Sequence, residues 1–227
     1  MTDEYEIVIA RYGARTTVRS EVYLNYALYH EEDGPIGLDY FVWIVRNAER
    51  TILVDTGFSV AGGERRKRTM LTHPVEIWDA LGIRPESAPP IVLTHAHFDH
   101  AGNLDHFPDS QIITAQAELD FWHGPQAHRE LFHHSVEDTE LGLLREAYAA
   151  GRVTTFSGRH TVAPGVELIE VGGHTPGQSV VLVNTSEGPV VLASDAVHFY
   201  EELERGMPFM SVADLVEMYD AFDLLNG

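Results

Sequence analysis

The chain has 227 residues, is 44% apolar, and sets 15 Lys and Arg against 35 Asp and Glu, for a net charge of −20. That length and apolar share suit one domain with a sizeable core, while the charge argues against a phosphate backbone, and so against nucleic acid, as partner. There is no cysteine, which excludes disulfides, cysteine-type zinc sites and thiol nucleophiles.

The first residues, Met1 to Ala10, are acidic and lack the apolar core of a signal peptide. No apolar run approaches the roughly 18 residues of a membrane span. A soluble, cytoplasmic protein with no membrane partner is expected. In chain order, Tyr5–Ala10, Tyr23–Leu28, Tyr40–Val45 and Thr51–Val54 read as strands, the last three separated by turn-rich segments. Residues 58–74 read as loop. The basic run Arg65-Arg66-Lys67-Arg68 within it reads as a solvated face in preference to an anion site. Pro74–Leu81 is a short helix stopped by Gly82, and Ile91–Leu93 is a short apolar strand.

Gln111–Ala115 is the next strand, and a helix starts over Ala117–Trp122. Residues 123–151 form a helical insertion, with Ser135 and Asp138 spaced as a helix cap and Gly151 as its stop. Its histidines, His123, His128, His133 and His134, read as exposed or locally satisfied, with a lid over a pocket as the alternative. Strands return at Val153–Phe156, Val166–Glu170, Ser179–Asn184 and Val190–Ser194. A last helix over Val212–Leu225 is expected to take Ser211 as cap, with Asp214 in its first turn, and to pack through Leu215, Val216, Tyr219 and Phe222. Strands cluster at both ends of the chain. This predicts an α/β protein of two packed sheets with helices outside, not one doubly wound sheet.

Three pieces of chemistry each follow an apolar strand. The first is Thr94-His95-Ala96-His97-Phe98-Asp99-His100, with three histidines and an aspartate in six residues. Imidazole and carboxylate ligands from one short loop suit zinc, and the carboxylate admits iron or manganese. The second is Gly172-Gly173-His174-Thr175-Pro176-Gly177, a tight loop offering one imidazole. The third is Ala193-Ser194-Asp195-Ala196, a carboxylate whose burial at a strand end is costly unless paired or metal-bound. Asp55, in Asp55-Thr56-Gly57, reads either as a cap of its own turn or as a carboxylate orienting a ligand histidine.

These pieces in this order resemble the metallo-β-lactamase fold superfamily, over about Tyr40 to Tyr200. Gly-His-Thr-Pro-Gly-Gln, the Asp-Ala pair and the helical insertion are most similar to its N-acyl-homoserine lactonase branch. The resemblance implies a four-layered αβ/βα sandwich with two metals at its edge. His95, His97 and His174 would hold metal 1, Asp99 and His100 metal 2, and Asp195 both; the metals would be two Zn²⁺, with Fe or Mn compatible.

The resemblance also implies a small-molecule ester or lactone substrate, opened by hydroxide generated from water at the two metals. Asp99 would act as proton shuttle. His198 or Tyr200 would hold the substrate carbonyl, against bland roles as a surface polar contact and a packing residue. A homodimer is compatible with the branch. The family pattern ends with a further histidine, strand and helix. Here the only histidine after Asp195 is His198, so the last strand and helix are expected to be missing and the second metal short of a ligand, with a truncated C-terminus as the expected cause. A glyoxalase-II-like thioesterase is the alternative activity. A metal- or ligand-binding protein with an impaired second site is the non-enzyme alternative.

Overall fold

The computed structural model describes residues 3–227. Eleven strands and seven helices order as β1 (Glu6–Val18), β2 (Pro35–Arg46), β3 (Thr51–Val54), α1 (Val60–Arg65), β4 (Thr69–Met70), α2 (Pro74–Ala80), β5 (Ile91–Val92), β6 (Ile112–Ala115), α3 (Gln116–His123), α4 (Glu130–His133), α5 (Asp138–Ala149), β7 (Val153–Phe156), β8 (Arg159–Ala163), β9 (Val166–Glu170), β10 (Ser179–Thr185), β11 (Gly188–Leu192), α6 (Tyr200–Arg205) and α7 (Leu215–Asn226) among the described residues. They form a seven-stranded sheet, β4-β1-β2-β3-β5-β6-β7, and a four-stranded sheet, β11-β10-β9-β8. Antiparallel pairing joins β1, β2 and β3, and parallel pairing runs from β3 through β5 and β6 to β7. The small sheet is antiparallel throughout.

Alternation along the central strands explains the layering. Ile44, Leu53, Ile91, Leu93 and Ile112 point to one face of the large sheet, against Trp78 of α2, Leu119 and Trp122 of α3, and Leu141 and Leu144 of α5. Their neighbours Val45, Ile52, Val54, Val92 and Ile113 point to the other face, against Val166, Leu168, Val181 and Val183 of the small sheet. One sheet therefore contributes to two cores by the period-two rule. Each large side chain fully buried in this way contributes about 1.5–3 kcal/mol. The two packed sheets with helices on the large sheet's outer face match the expected class.

Several boundaries differ from expectation for physical reasons. Tyr23–Leu28 is not a strand: Asn25 takes a left-handed φ of 51°, and Tyr26–Tyr29 is a 3₁₀ turn, with Tyr23 making a single bridge to Phe209. Residues 58–74 hold α1, capped by Ser59, whose Oγ accepts from Gly62 N. Helix α5 starts at Asp138, not at a Ser135 cap, because Ser135 O accepts Phe98 N at 2.9 Å and Ser135 N bonds Phe132 O. Strand β8 escaped the sequence reading, being short and mostly polar.

Helix α7 begins three residues later than expected, with Asp214 as its cap, accepting from Val216 N and Glu217 N. Ala213 N and Asp214 N both donate to Gly173 O, which holds the preceding segment extended. The helix buries Met218, Ala221 and Phe222, whereas Leu215, Val216 and Tyr219 are exposed. No helix of the described residues is long and apolar enough to cross a membrane.

Candidate metal centre

The parallel strands end together, and their carboxyl ends deliver the site, as is general for such sheets. Strand β3 ends in Asp55, β5 in the 94–100 loop, and β6 leads into α3 with Glu118. Strands β9 and β11 of the facing sheet end before His174 and Asp195. The site thus lies at one edge of the seam between the sheets.

His95, His97, His174 and Asp195 offer ligand atoms within 4.8 Å of one another, and Asp99, His100 and Asp195 form a second such group. Asp195 belongs to both. Its Oδ2 lies 3.4 Å from His174 Nε2 and 3.9 Å from His95 Nε2, while its Oδ1 lies 3.2 Å from His100 Nε2. His100 Nε2 is also 3.9 Å from Asp99 Oδ1.

The opposite ring atoms are fixed by partners, which sets the tautomers. His174 Nδ1 donates to Ser211 O at 2.7 Å, leaving Nε2 as a lone pair, and that atom faces His97 Nδ1 at 3.0 Å. His100 Nδ1 lies 2.7 Å from Asp55 Oδ2. Asp55 Oδ1 accepts Thr94 N at 2.8 Å, and both its oxygens accept Thr94 Oγ1. Asp55 therefore orients a histidine, and its remaining bonds go to Thr94 of the neighbouring strand end rather than to its own turn. Thr94 Oγ1 further contacts His95 Nδ1 and Ser194 Oγ. Ser194, left-handed at φ 48°, turns the chain so that Asp195 enters the cluster.

Electrostatics divide the site. Burial, with the neighbouring imidazoles, holds His95 and His97 well below their ordinary pKa, and burial brings His174 down to about 4. Neutral imidazoles with lone pairs turned inward are suited to ligate a metal ion. Burial opposes a charge on His100, but Asp195, Asp55 and Asp99 outweigh it and hold its pKa well above normal. Burial raises Asp99. Asp99 and Asp195, buried close together, each gain from a positive charge between them.

The donor set fits divalent cations: imidazole nitrogen and carboxylate oxygen, with a shared carboxylate between two groups. His95 Nε2 supplies an independent test. It is buried and has no hydrogen-bond partner among the described residues, a cost that a metal ion would remove.

Of the expected site residues, the fold brings His95, His97, Asp99, His100, His174 and Asp195 together, and His198 with them. His198 Nε2 lies 3.0 Å from Asp195 Oδ2, within ion-pair reach of it. Its ring stacks on Phe209 at 3.7 Å, and Nδ1 lies 3.4 Å from Oε1 of the fully buried Glu202. His198 stands on the Oδ2 side, with His95 and His174, rather than on the Asp99–His100 side. Tyr200 is not brought to the cluster; it is 84% exposed at the mouth of the cleft. Of the insertion histidines, His134 lines the cleft, and His133 pairs outside it with Asp138.

Sequence reasoning missed Glu118 and Tyr12. Glu118 is fully buried and joins the two histidine loops by hydrogen bonds to Ala96 N and Thr175 Oγ1. Tyr12 OH donates to Asp99 O at 2.9 Å and accepts Phe58 N. Both act across long sequence separations, and neither sits in a motif. The cluster opens into a cleft of about 980 Å³ with a largely apolar wall, including Phe98, Phe121, Trp122 and Phe132.

A buried His/Asp cluster sharing one carboxylate, set at the edge of two packed sheets, defines a metal-dependent hydrolase class. The profile of the metallo-beta-lactamase superfamily matches residues 36–207, and the chain belongs to that superfamily. An N-acyl homoserine lactonase of Bacillus sp is 32% identical over 189 residues, covering 76% of this chain and 70% of that protein. The crystal structure of a quorum-quenching N-acyl homoserine lactone lactonase superposes with a TM-score of 0.80 at 26% identity, covering 100% of this chain and 87% of that one. An acyl-coenzyme A thioesterase of Gallus gallus is 35% identical over 78 residues only, 34% of this chain and 26% of that protein.

Proposed function

We propose that this chain is a dinuclear lactonase that opens the ring of an N-acyl-homoserine-lactone-like substrate, and so acts in quorum quenching. The observation that carries the reading is Asp195, with Oδ1 turned to His100 and Oδ2 to His95 and His174. A carboxylate so shared suits a bridge between two cations. His95, His97 and His174 would hold one, and Asp99 with His100 the other. Two bound Zn²⁺, or Fe or Mn in their place, would supply Lewis acidity and a hydroxide nucleophile near neutral pH.

The chain's own residues do the rest. Asp99 takes the proton released by the attacking water and returns it to the leaving ring oxygen. His198 presents Nε2 toward the carbonyl oxygen, held in place by Phe209 and Glu202. Tyr200 lies at the mouth, where it meets the outer part of a substrate. The apolar wall of the cleft suits an acyl chain and excludes water.

Acid release followed in a pH-stat tests the reading. With the metal-loaded protein, an N-acyl-homoserine lactone should be hydrolysed well ahead of an acyl thioester. Faster turnover of the thioester would instead favour the glyoxalase-II-like activity. Hydrolysis of neither would favour a binding protein.

A further inference from the structure

The basic run Arg65–Arg68 does not behave as one solvated face. Arg65 and Arg66 both pair with Glu137. Arg66 is further spent on His134 O and Val136 O and lies 4.1 Å over the Phe98 ring. Arg68 differs. Its Nη1 donates to Arg66 O at 2.6 Å, but its Nε is buried without a partner, and it meets no carboxylate among the described residues. Arg68, Asp99 and Tyr40 all line the cleft.

Tyr40 is the second unspent group. Its ring is wedged edge-on against Phe58 at 5.3 Å, and its hydroxyl makes no hydrogen bond among the described residues. The carboxylates Asp99 and Asp195 and, with opposite sign, the guanidiniums Arg68 and Arg15 act on the phenol. Arg15 is already committed to Glu21 and Thr17. A guanidinium engaged only through Nη1 and an uncommitted phenol therefore line the same cleft. Guanidinium N–H groups only donate, and phenol O–H donates readily, so the complementary group is an oxyanion. A planar carboxylate matches the guanidinium fork.

Building on the hydrolase reading of this cleft, we propose that Arg68 and Tyr40 form a carboxylate-binding subsite. The cleft then also accepts an ester or lactone that carries an anionic group, beyond the neutral lactone proposed above. Such a group stays clear of the reacting carbonyl while fixing its approach to the cluster.

Calorimetry with propane-1-sulfonate, an oxyanion that ligates metals weakly, tests the subsite on the metal-loaded protein. The wild type should bind it. Arg68→Met should weaken binding on the order of tenfold or more, and Tyr40→Phe by a smaller factor. Arg68→Lys, which keeps the charge and loses the fork, should fall between. It also guards against a loosened loop in Arg68→Met. In parallel, kcat/KM for a p-nitrophenyl hemiglutarate, relative to p-nitrophenyl butyrate, should drop about tenfold in Arg68→Met.

No sulfonate binding by the wild type, or equal binding by wild type and Arg68→Met, overturns the subsite. Sulfonate binding does not require turnover. A protein that binds it through Arg68 yet hydrolyses no ester would refute the hydrolase and leave the subsite standing.

Discussion

Glu118 Oε2 accepts the hydroxyl of Thr175 at 2.6 Å, across 57 residues of sequence. The same oxygen accepts Gly177 N, while Oε1 accepts Ala96 N at 2.7 Å and Trp122 Nε1 at 2.6 Å. One buried carboxylate thus fastens the loop of His95 and His97 to the loop of His174. Glu118→Ala leaves those buried donors unpaired and should cost about 3–5 kcal/mol in a urea melt. It should also lower metal content. A loss below about 1 kcal/mol would show that the loops hold each other without it.

The glycine opposite this carboxylate is fixed by space. A Cβ on Gly177 would meet Glu118 N at 2.3 Å and Glu118 Cβ at 2.4 Å. Gly177→Ala should therefore lower the melting temperature, by an overpacking cost of about 1–3 kcal/mol. Gly142, within α5, meets nothing within 4 Å. Gly142→Ala should raise stability by roughly 0.5–1 kcal/mol through helix propensity. Equal effects of the two substitutions would contradict the packing described.

Asp55 uses both oxygens as acceptors, toward Thr94 and His100. In Asp55→Asn an amide N–H₂ must face one of these donors. Asparagine tolerates the left-handed φ of 60°, so the fold should persist. Metal affinity at the His100 group should weaken by about 10–100-fold, read by chelator competition. Unchanged affinity would reduce Asp55 to a brace for Thr94 at the neighbouring strand end.

Glu140 gives a pH dependence of stability. Burial pushes its pKa from 4.5 to about 8, against the hydrogen bond from Ser59 Oγ at 3.0 Å. The folded state keeps this proton longer than the unfolded chain. Its stabilising contribution is therefore complete below pH 4.5 and is lost as pH rises to about 8. Urea midpoints should fall more steeply between pH 5 and 8 for the wild type than for Glu140→Gln. Parallel slopes would count against a protonated Glu140.

What was legible in the sequence is what is local. His95, His97, Asp99 and His100 share one loop, and His174 and Asp195 each follow an apolar strand, so spacing and strand ends revealed them. Glu118 was invisible because its partners lie 22 and 57 residues away and a lone Glu in a helix carries no signal. The side of Asp195 on which His198 stands likewise depends on the packing of Phe209 against its ring, which no local pattern encodes. The cap of α7 was misplaced because tertiary hydrogen bonds to Gly173 O override the Ser211 signal. Strands read best where both faces are apolar, as at Thr51–Val54, and worst where one face is wet, as at Arg159–Ala163.

The central claim is that the shared Asp195 makes this a two-metal hydrolase. Its most direct test is metal content per chain by elemental analysis, paired with hydrolysis of an N-acyl-homoserine lactone, in the wild type and in His97→Ala. The account predicts two metals per wild-type chain, a lower content in His97→Ala, and hydrolysis that is lost with the metal and restored when it is returned to the chelated wild type. One metal or none in the wild type, or lactone hydrolysis that survives both chelation and His97→Ala, would contradict it.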